Sequence, residues 1–247
     1  MTVTSRFNYR AYPDKGQCQA LARLFGCVRV VYNDFVAARR AAHSAKQPIP
    51  SANDLCKRLI TDAKKTPERA WLAEVSVTPV QQAARHAQGA HARFYSYLKA
   101  RREFNAKIKV GLLPKDAKPP RRVGRPVFKT RSGRQSAEFT RSARFQVRHP
   151  DGCKWGWVRL PKIGWVKFRW TRDLPSDPSS VVVIGNPDGS YEVSFAVDAP
   201  IPDAPAPIHQ ATGIDLGHRV LAAAVSSDGT RRAHPNPKAL DKARRRL

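Results

Sequence analysis

The residue patterning of this 247-residue chain changes character twice, and that segregation limits the folds open to it. Through residue 98, apolar side chains recur at helical spacing; over 99–148 basic residues and prolines dominate; over 153–198 short apolar and aromatic runs alternate. Helical segments followed by strand segments predict an α+β chain, not a regular βαβ alternation.

In the first part, Val3, Arg6, Phe7, Tyr9 and Tyr12 predict a strand closed by Pro13. Asp14 and Gln17 have capping-box spacing, and Leu21, Leu24, Phe25, Val28, Val31, Tyr32 and Phe35 then mark one helical face. Gly26 interrupts that face and predicts a division into two helices. Gln47–Pro50 breaks the pattern, and Ser51 can cap a short helix carrying Leu55 and Leu59. A further helix is predicted from Thr78 as N-cap, with Pro79 at the first helical position and Gln81 closing the box. Its apolar side is Val80, Ala84, Ala87, His91, Phe94 and Leu98, with Gln82, Arg85, Gln88 and Arg93 facing elsewhere. His91 reads as a satisfied core histidine in preference to a ligand.

Residues 99–148 hold sixteen Lys plus Arg against Glu103, Asp116 and Glu138, half of the chain's net charge of +26. Pro114, Pro119, Pro120 and Pro126 exclude a continuous helix through its middle. The segment is either a crossover that contacts nucleic acid or a solvated linker. Trp155 to Trp157, Trp165–Trp170, Val181–Ile184 and Tyr191–Val197 predict short antiparallel strands, with a turn at Asn186–Gly189, and favour a small barrel. Tyr12, Trp155, Trp157 and Trp165 suit base stacking, although aromatic residues in small barrels are more often core. Asp198–Pro207, with four prolines, predicts a linker.

Folding does not require a charge excess of 26; self-repulsion opposes it, so a polyanionic partner, nucleic acid before an acidic membrane surface, is expected. No apolar run approaches the ~20 residues of a membrane span. The first residues lack a signal-peptide core, and Cys18, Cys27, Cys56 and Cys153 form no C-x-x-C pair; a reducing cytoplasm is expected, with no zinc site.

Asp215 lies in Gly213-Ile214-Asp215-Leu216-Gly217, followed by the apolar run Val220–Val225. That is how a metal-binding carboxylate on the first strand of a nuclease sheet looks, before the chain turns into a hairpin. Two-metal phosphodiester chemistry needs several such carboxylates around ions ~3.5–4 Å apart. Asp228 reads as a turn residue and Asp241 as a helix-surface charge, so neither completes the set.

Several blocks arrive in a recognisable order: Arg10-Ala11-Tyr12-Pro13, Phe25-Gly26-Cys27-Val28-Arg29 with Val31-Tyr32-Asn33, Gln81-Gln82-Ala83, Gly124–Lys129, Leu160–Val166, Tyr191–Phe195 and Gly213–Gly217. In this order the chain resembles the TnpB (OrfB) transposase-like proteins of insertion sequences, relatives of type V CRISPR effectors, over their N-terminal portion. The resemblance implies an antiparallel wedge β-barrel from residues 1–12 and 120–198 and an inserted helical recognition lobe over 13–110. Basic 111–119 and Pro-rich 199–211 linkers would follow, then an incomplete RuvC domain of RNase H type over 212–247. It implies guide RNA and target DNA as partners, no small-molecule substrate, and Mg2+ as cofactor. A cytoplasmic, nucleoid-associated place in a bacterium or archaeon is expected.

Of the family's three catalytic acids, only the first maps here, to Asp215. The later Glu, the four-cysteine zinc ribbon and the final Asp have no counterpart, so a nucleic-acid-binding remnant without cleavage of its own is expected. A fragment of an active endonuclease is the alternative. Arg121, Arg122, Arg125, Lys129, Arg131, Arg134, Arg141 and Lys162 are the candidate phosphate contacts. The basic run Lys242–Arg246 could add to them.

Overall fold

A computed structural model describes residues 2–114, 116–201 and 211–239, which fall in two compact units, Met1–Ala199 and Pro200–Leu247. In the first, strand β1 (Thr2–Tyr12) leads into helix α1 (Lys15–Ser44). The Asp14 carboxylate accepts the Gln17 amide N–H at 2.8 Å while the Gln17 side chain accepts the Asp14 N–H at 3.1 Å, so the capping box forms as its residues predict. Gly26 does not divide the helix. It costs about 1 kcal/mol relative to alanine, whereas the burial of Phe25, Cys27, Val28 and Val31 around it is worth more. Cys27 is core: burial pushes its thiol up to about 11, so it stays protonated.

Ser51 caps the short helix α2 (Ala52–Cys56), whose chain continues as one wide turn over Lys57–Asp62. Helix α3 runs from Val77 to Lys109, with Ser76 at the N-cap position. The start predicted at Thr78 is thus corrected by two residues: Thr78 is helical and the expected box does not form. Pro79 is tolerated because it lies in the first turn, where backbone N–H groups have no helical acceptor. Gln82, expected to face outward, is buried.

The described residues after α3 run without regular structure to strand β2 (Gln135–Thr140), and strand β3 (Gln146–Arg148) follows. Both strands lie inside the basic stretch that predicted only a crossover. They form because Ala137, Phe139 and Val147 alternate with polar neighbours and turn inward. Then come β4 (Trp155–Leu160), β5 (Gly164–Arg169), β6 (Ser180–Gly185) and β7 (Tyr191–Pro200), as the alternation predicts. The seven strands make one antiparallel sheet in the order β2-β6-β7-β1-β5-β4-β3. Its edges β2 and β3 do not pair with each other, so the expected closed barrel is instead a curled half-barrel.

One core holds sheet and helices together. Tyr9, Phe139, Val158, Val166, Phe168 and Phe195 from the sheet join Leu21, Leu24, Val31 and Phe35 of α1 and Val80, Ala84 and Ala87 of α3. Small alanines let α3 approach closely.

A polar tie also crosses from α3 to the sheet. The Glu138 carboxylate meets His86 Nε2 at 2.7 Å and Arg6 Nη2 at 3.5 Å. The hydrogen bond with His86, and more weakly Arg6, pull the Glu138 pKa down to about 2 against the burial of the group. A carboxylate depressed in the fold stabilises above its unfolded pKa and loses that contribution as pH falls through the folded one. Glu138→Gln is therefore expected to cost roughly 1–2 kcal/mol at pH 7, discounted because His86 is half exposed. The difference from the parent should shrink between about pH 4.5 and 2 in urea titrations. A pH-independent difference would contradict it.

The second unit contains β8 (Thr212–Leu216), β9 (Val220–Ser226) and β10 (Arg231–Pro235), an antiparallel sheet in the order β10-β9-β8. The hairpin expected around Asp215 is present, with a third strand. Most of the 199–211 linker, Asp241 and the Lys242–Arg246 run lie outside the described residues.

Candidate nucleic-acid interface

In β4 and β5, side chains alternate between two apolar faces, and pairing decides which is inside. Val158, Leu160, Val166 and Phe168 are buried. Trp155, Trp157 and Arg159 of β4, and Trp165, Lys167 and Arg169 of β5, therefore share the outer face, paired as Trp155 with Arg169, Trp157 with Lys167 and Arg159 with Trp165. Arg148 of β3 lies opposite Trp157, and Tyr12 of β1 opposite Lys167. The three tryptophans are half-buried on this outer face and do not join the core cluster, against the expectation that such aromatics are core.

This outer face is cationic as well as aromatic. Lys167 Nζ lies 3.9 Å and the Arg169 guanidinium carbon 5.1 Å from the Trp155 ring centre, and Arg148 stands 4.5 Å over Trp165. Tyr12 meets Trp155 edge-on at 5.3 Å. Strands β1, β3, β4 and β5 contain no carboxylate, whereas Glu138, Glu192 and Asp198 all lie on β2 and β7. Indole faces next to these cations offer a base a stacking surface and its phosphate a counter-charge. The signal was present in the sequence as Trp-x-Trp and Trp-x-Lys-x-Arg at period two, but only the pairing puts these side chains on one face.

The candidate phosphate contacts divide by what already holds them. Arg121, Arg122 and Arg131 are exposed, and their side chains make no hydrogen bond or ion pair among the described residues. Arg125 stands over the Phe94 ring at 5.9 Å. Lys129 is partly buried, with Nζ 4.6 Å over Tyr32, and burial pulls its pKa down. Arg134 pairs with Glu192 at 3.3 Å. Arg141 donates to the carbonyls of Asp177 and Pro178, and Lys162 Nζ to that of Ala73 at 2.6 Å. Ion pairing and backbone bonding occupy some of these cations without removing their charge.

The crossover is anchored, not loose, where it passes α1. Asn33 and the Lys129 backbone exchange two hydrogen bonds, at 2.8 and 3.0 Å. Arg40 donates to the Pro126 carbonyl and stacks 4.5 Å over Phe128. The exposed arginines therefore flank a fixed segment.

In the second unit, Asp215 sits on β8 opposite Ala223. The register puts Gly213, Leu221, Val225, Arg231 and Ala233 on the same face. Asp228 is a turn residue, as expected: its carboxylate accepts the Thr230 N–H at 2.8 Å. No group of three or more metal-ligating side chains comes together among the described residues. One exposed carboxylate, with no second acid beside it on that face among the described residues, does not fit a magnesium site by itself, since magnesium takes a near-octahedral oxygen shell.

The curled antiparallel sheet and its cationic aromatic outer face define the candidate surface. A family profile described as a helix-turn-helix domain of the OrfB type matches residues 1–47. Here those residues form β1 and the single uninterrupted helix α1. The chain is similar, at 35% identity over 98% of its length and 52% of the relative's, to a Streptomyces pristinaespiralis protein named "Putative RNA-guided DNA endonuclease". It is 23% identical, over 91% of its length and 47% of the relative's, to an Escherichia coli K12 protein given the same name with the symbol InsQ. The chain spans about half the length of these curated relatives. The TnpB/OrfB resemblance read from the ordered blocks is borne out by these matches. No helix among the described residues is long and apolar enough to cross a membrane.

Proposed function

We propose that this chain is the nucleic-acid-binding part of a TnpB-like RNA-guided DNA endonuclease, holding guide-like RNA and DNA and not cleaving by itself. The observation that carries this is the carboxylate-free face of β1, β3, β4 and β5 with its tryptophans and cations. In this reading residues 1–12 and 120–198 are the wedge, 13–110 the recognition lobe, and 212–247 the start of a RuvC domain. Linkers over 111–119 and 199–211 join them, and the protein works in the cytoplasm at the nucleoid. Asp215 is the first catalytic carboxylate and a magnesium ligand that needs partners from outside the described residues. Sequence reading belongs to base pairing with the guide, and the protein's cations hold backbones.

The test is a binding titration of the 247-residue chain with structured RNA at several salt concentrations. Affinity should fall steeply with salt as counterions are released; an affinity flat with salt would reject the reading. Asp215→Ala should bind as the parent does, and neither should cut DNA with magnesium or manganese, with or without RNA. Relatives about twice as long support a second reading, in which further chain supplies the remaining ligands and the assembled protein cuts. Cleavage by the present chain that disappears in Asp215→Ala would overturn the non-cleaving reading.

A further inference from the structure

The outer residues of β4 and β5 form three rungs, one for each register pair: Trp155 with Arg169, Trp157 with Lys167, and Trp165 with Arg159. Every rung holds one indole and one cation. Successive rungs stand about 6.8 Å apart, two strand residues at ~3.4 Å each. The short turn between Leu160 and Gly164 sets this register, with Lys162 in the left-handed region at φ 65° and Gly164 at φ 94°. A slip of one residue in either strand would turn its outer side chains inward.

The cations do not keep to their own rungs. Lys167, opposite Trp157, brings Nζ to 3.9 Å from the Trp155 ring centre. Arg148 of β3, also opposite Trp157, stands 4.5 Å over Trp165. One cation thus bridges the first and second rungs, and another the second and third. Neither is held in an ion pair among the described residues.

This alternation has the repeat of a nucleic acid strand, in which phosphates bridge successive bases. The rung spacing selects the state of that strand. In a duplex, the nucleotides of one strand follow each other at ~3.4 Å, half the rung spacing, and each base face is covered by the next base. A duplex or a stacked strand can offer its phosphates here but not its ring faces. A single strand drawn out until its bases part matches the rungs, one nucleotide to each. Contact with ring faces is tolerant of sequence, because every base has a π-face.

We propose that this face binds three successive unstacked nucleotides of a single strand, RNA or DNA. One base lies on each indole, and the two intervening phosphates draw Lys167 and Arg148 off the rings. The inference rests on the nucleic-acid-binding reading above and adds the strand state that the face selects.

The experiment follows the indole N–H signals of the five tryptophans of the full chain by heteronuclear NMR. Single Trp→Leu variants identify the signals of Trp155, Trp157 and Trp165 by their loss. The probes are oligothymidylates of one, three and six nucleotides, the uridylate trinucleotide and a fully paired DNA hairpin. Both trinucleotides should shift the three signals together, at concentrations at least tenfold below the mononucleotide, and leave Trp71 and Trp170 in place. The gain from three to six nucleotides should be smaller than that from one to three. Trp155→Leu, Trp157→Leu and Trp165→Leu combined should weaken binding of the hexanucleotide at least 100-fold, as loss of three stacked bases does. The hairpin, whose phosphates still meet the cations, should lose less than twofold. Unmoved Trp71 and Trp170 signals report that this variant is folded.

Equal losses for hexanucleotide and hairpin, a shift of one indole alone, no gain from one nucleotide to three, or a response to only one of the two trinucleotides would overturn the proposal. Salt-dependent binding of structured RNA with no indole response to the oligonucleotides would strike the rungs alone. An indole response without binding of structured RNA would strike the broader reading and leave the rungs standing.

Discussion

Replacing Arg148, Arg159, Lys167 and Arg169 together by glutamine is expected to weaken RNA binding by roughly 100-fold near 0.15 M salt. It should also lower the slope of log affinity against log salt by about 2–3, at ~0.7 for each phosphate no longer neutralised on a single strand. The four side chains share one outer face, and none is paired with a carboxylate among the described residues, so their removal leaves no buried charge and disturbs no core packing. The variant loses three cation–π contacts, at about 0.5–1 kcal/mol each, yet should remain folded without denaturant, which separates loss of binding from loss of fold. Trp155→Ala should behave differently: a loss of about 1–3 kcal/mol in binding with little change in salt slope, because stacking is not a counterion effect. If the fourfold variant bound with the parent's slope, the crossover arginines, and not the sheet, would hold the phosphates.

Phe168→Ala is expected to destabilise the chain by about 3–5 kcal/mol in equilibrium denaturation, as deletion of a buried aromatic ring does. Phe168 is fully buried and packs against Tyr9 at 5.3 Å and Phe195 at 5.4 Å, so its loss opens a void among β1, β5 and β7. The same ring explains Gly156. A methyl group there would stand 2.7 Å from the Phe168 ring and 2.9 Å from Trp170, so Gly156→Ala should cost about 1–3 kcal/mol by overpacking. In Gly156→Ala combined with Phe168→Leu, part of that cost should return. Strict additivity of the two losses would show that they do not share the space.

The helices and most strands were legible because local patterning decides them. Asp14, Gln17 and the face from Leu21 to Phe35 need nothing distant to make α1, and the β4–β7 runs alternate visibly. Gly26 misled because its local cost is visible in a sequence and the tertiary burial that outweighs it is not. β2 and β3 were hidden for a related reason: Ala137, Phe139 and Val147 are few among many basic residues.

The candidate site was legible as composition and not as arrangement. Which of β4's two apolar faces turns inward depends on its register with β5, a long-range fact. Arg134 with Glu192, Arg141 with Asp177 and Lys162 with Ala73 are likewise partners far apart in the chain. His91 was legible as a core position: its place on the apolar side of the helix predicts the burial it has.

The separation of charge across the seven-stranded sheet has a kinetic consequence. The acids of the strands, Glu138, Glu192 and Asp198, lie on β2 and β7, and the cations of the tryptophan face on β5, β4 and β3, so the strands carry their charge unevenly from one edge of the sheet to the other. In the nucleic-acid-binding reading proposed above, such unevenness would give a polyanion approaching by diffusion a torque as well as an attraction, toward the tryptophan face. Encounters arriving in the wrong orientation are thereby made fewer, and the association rate constant is raised by steering that ionic strength damps.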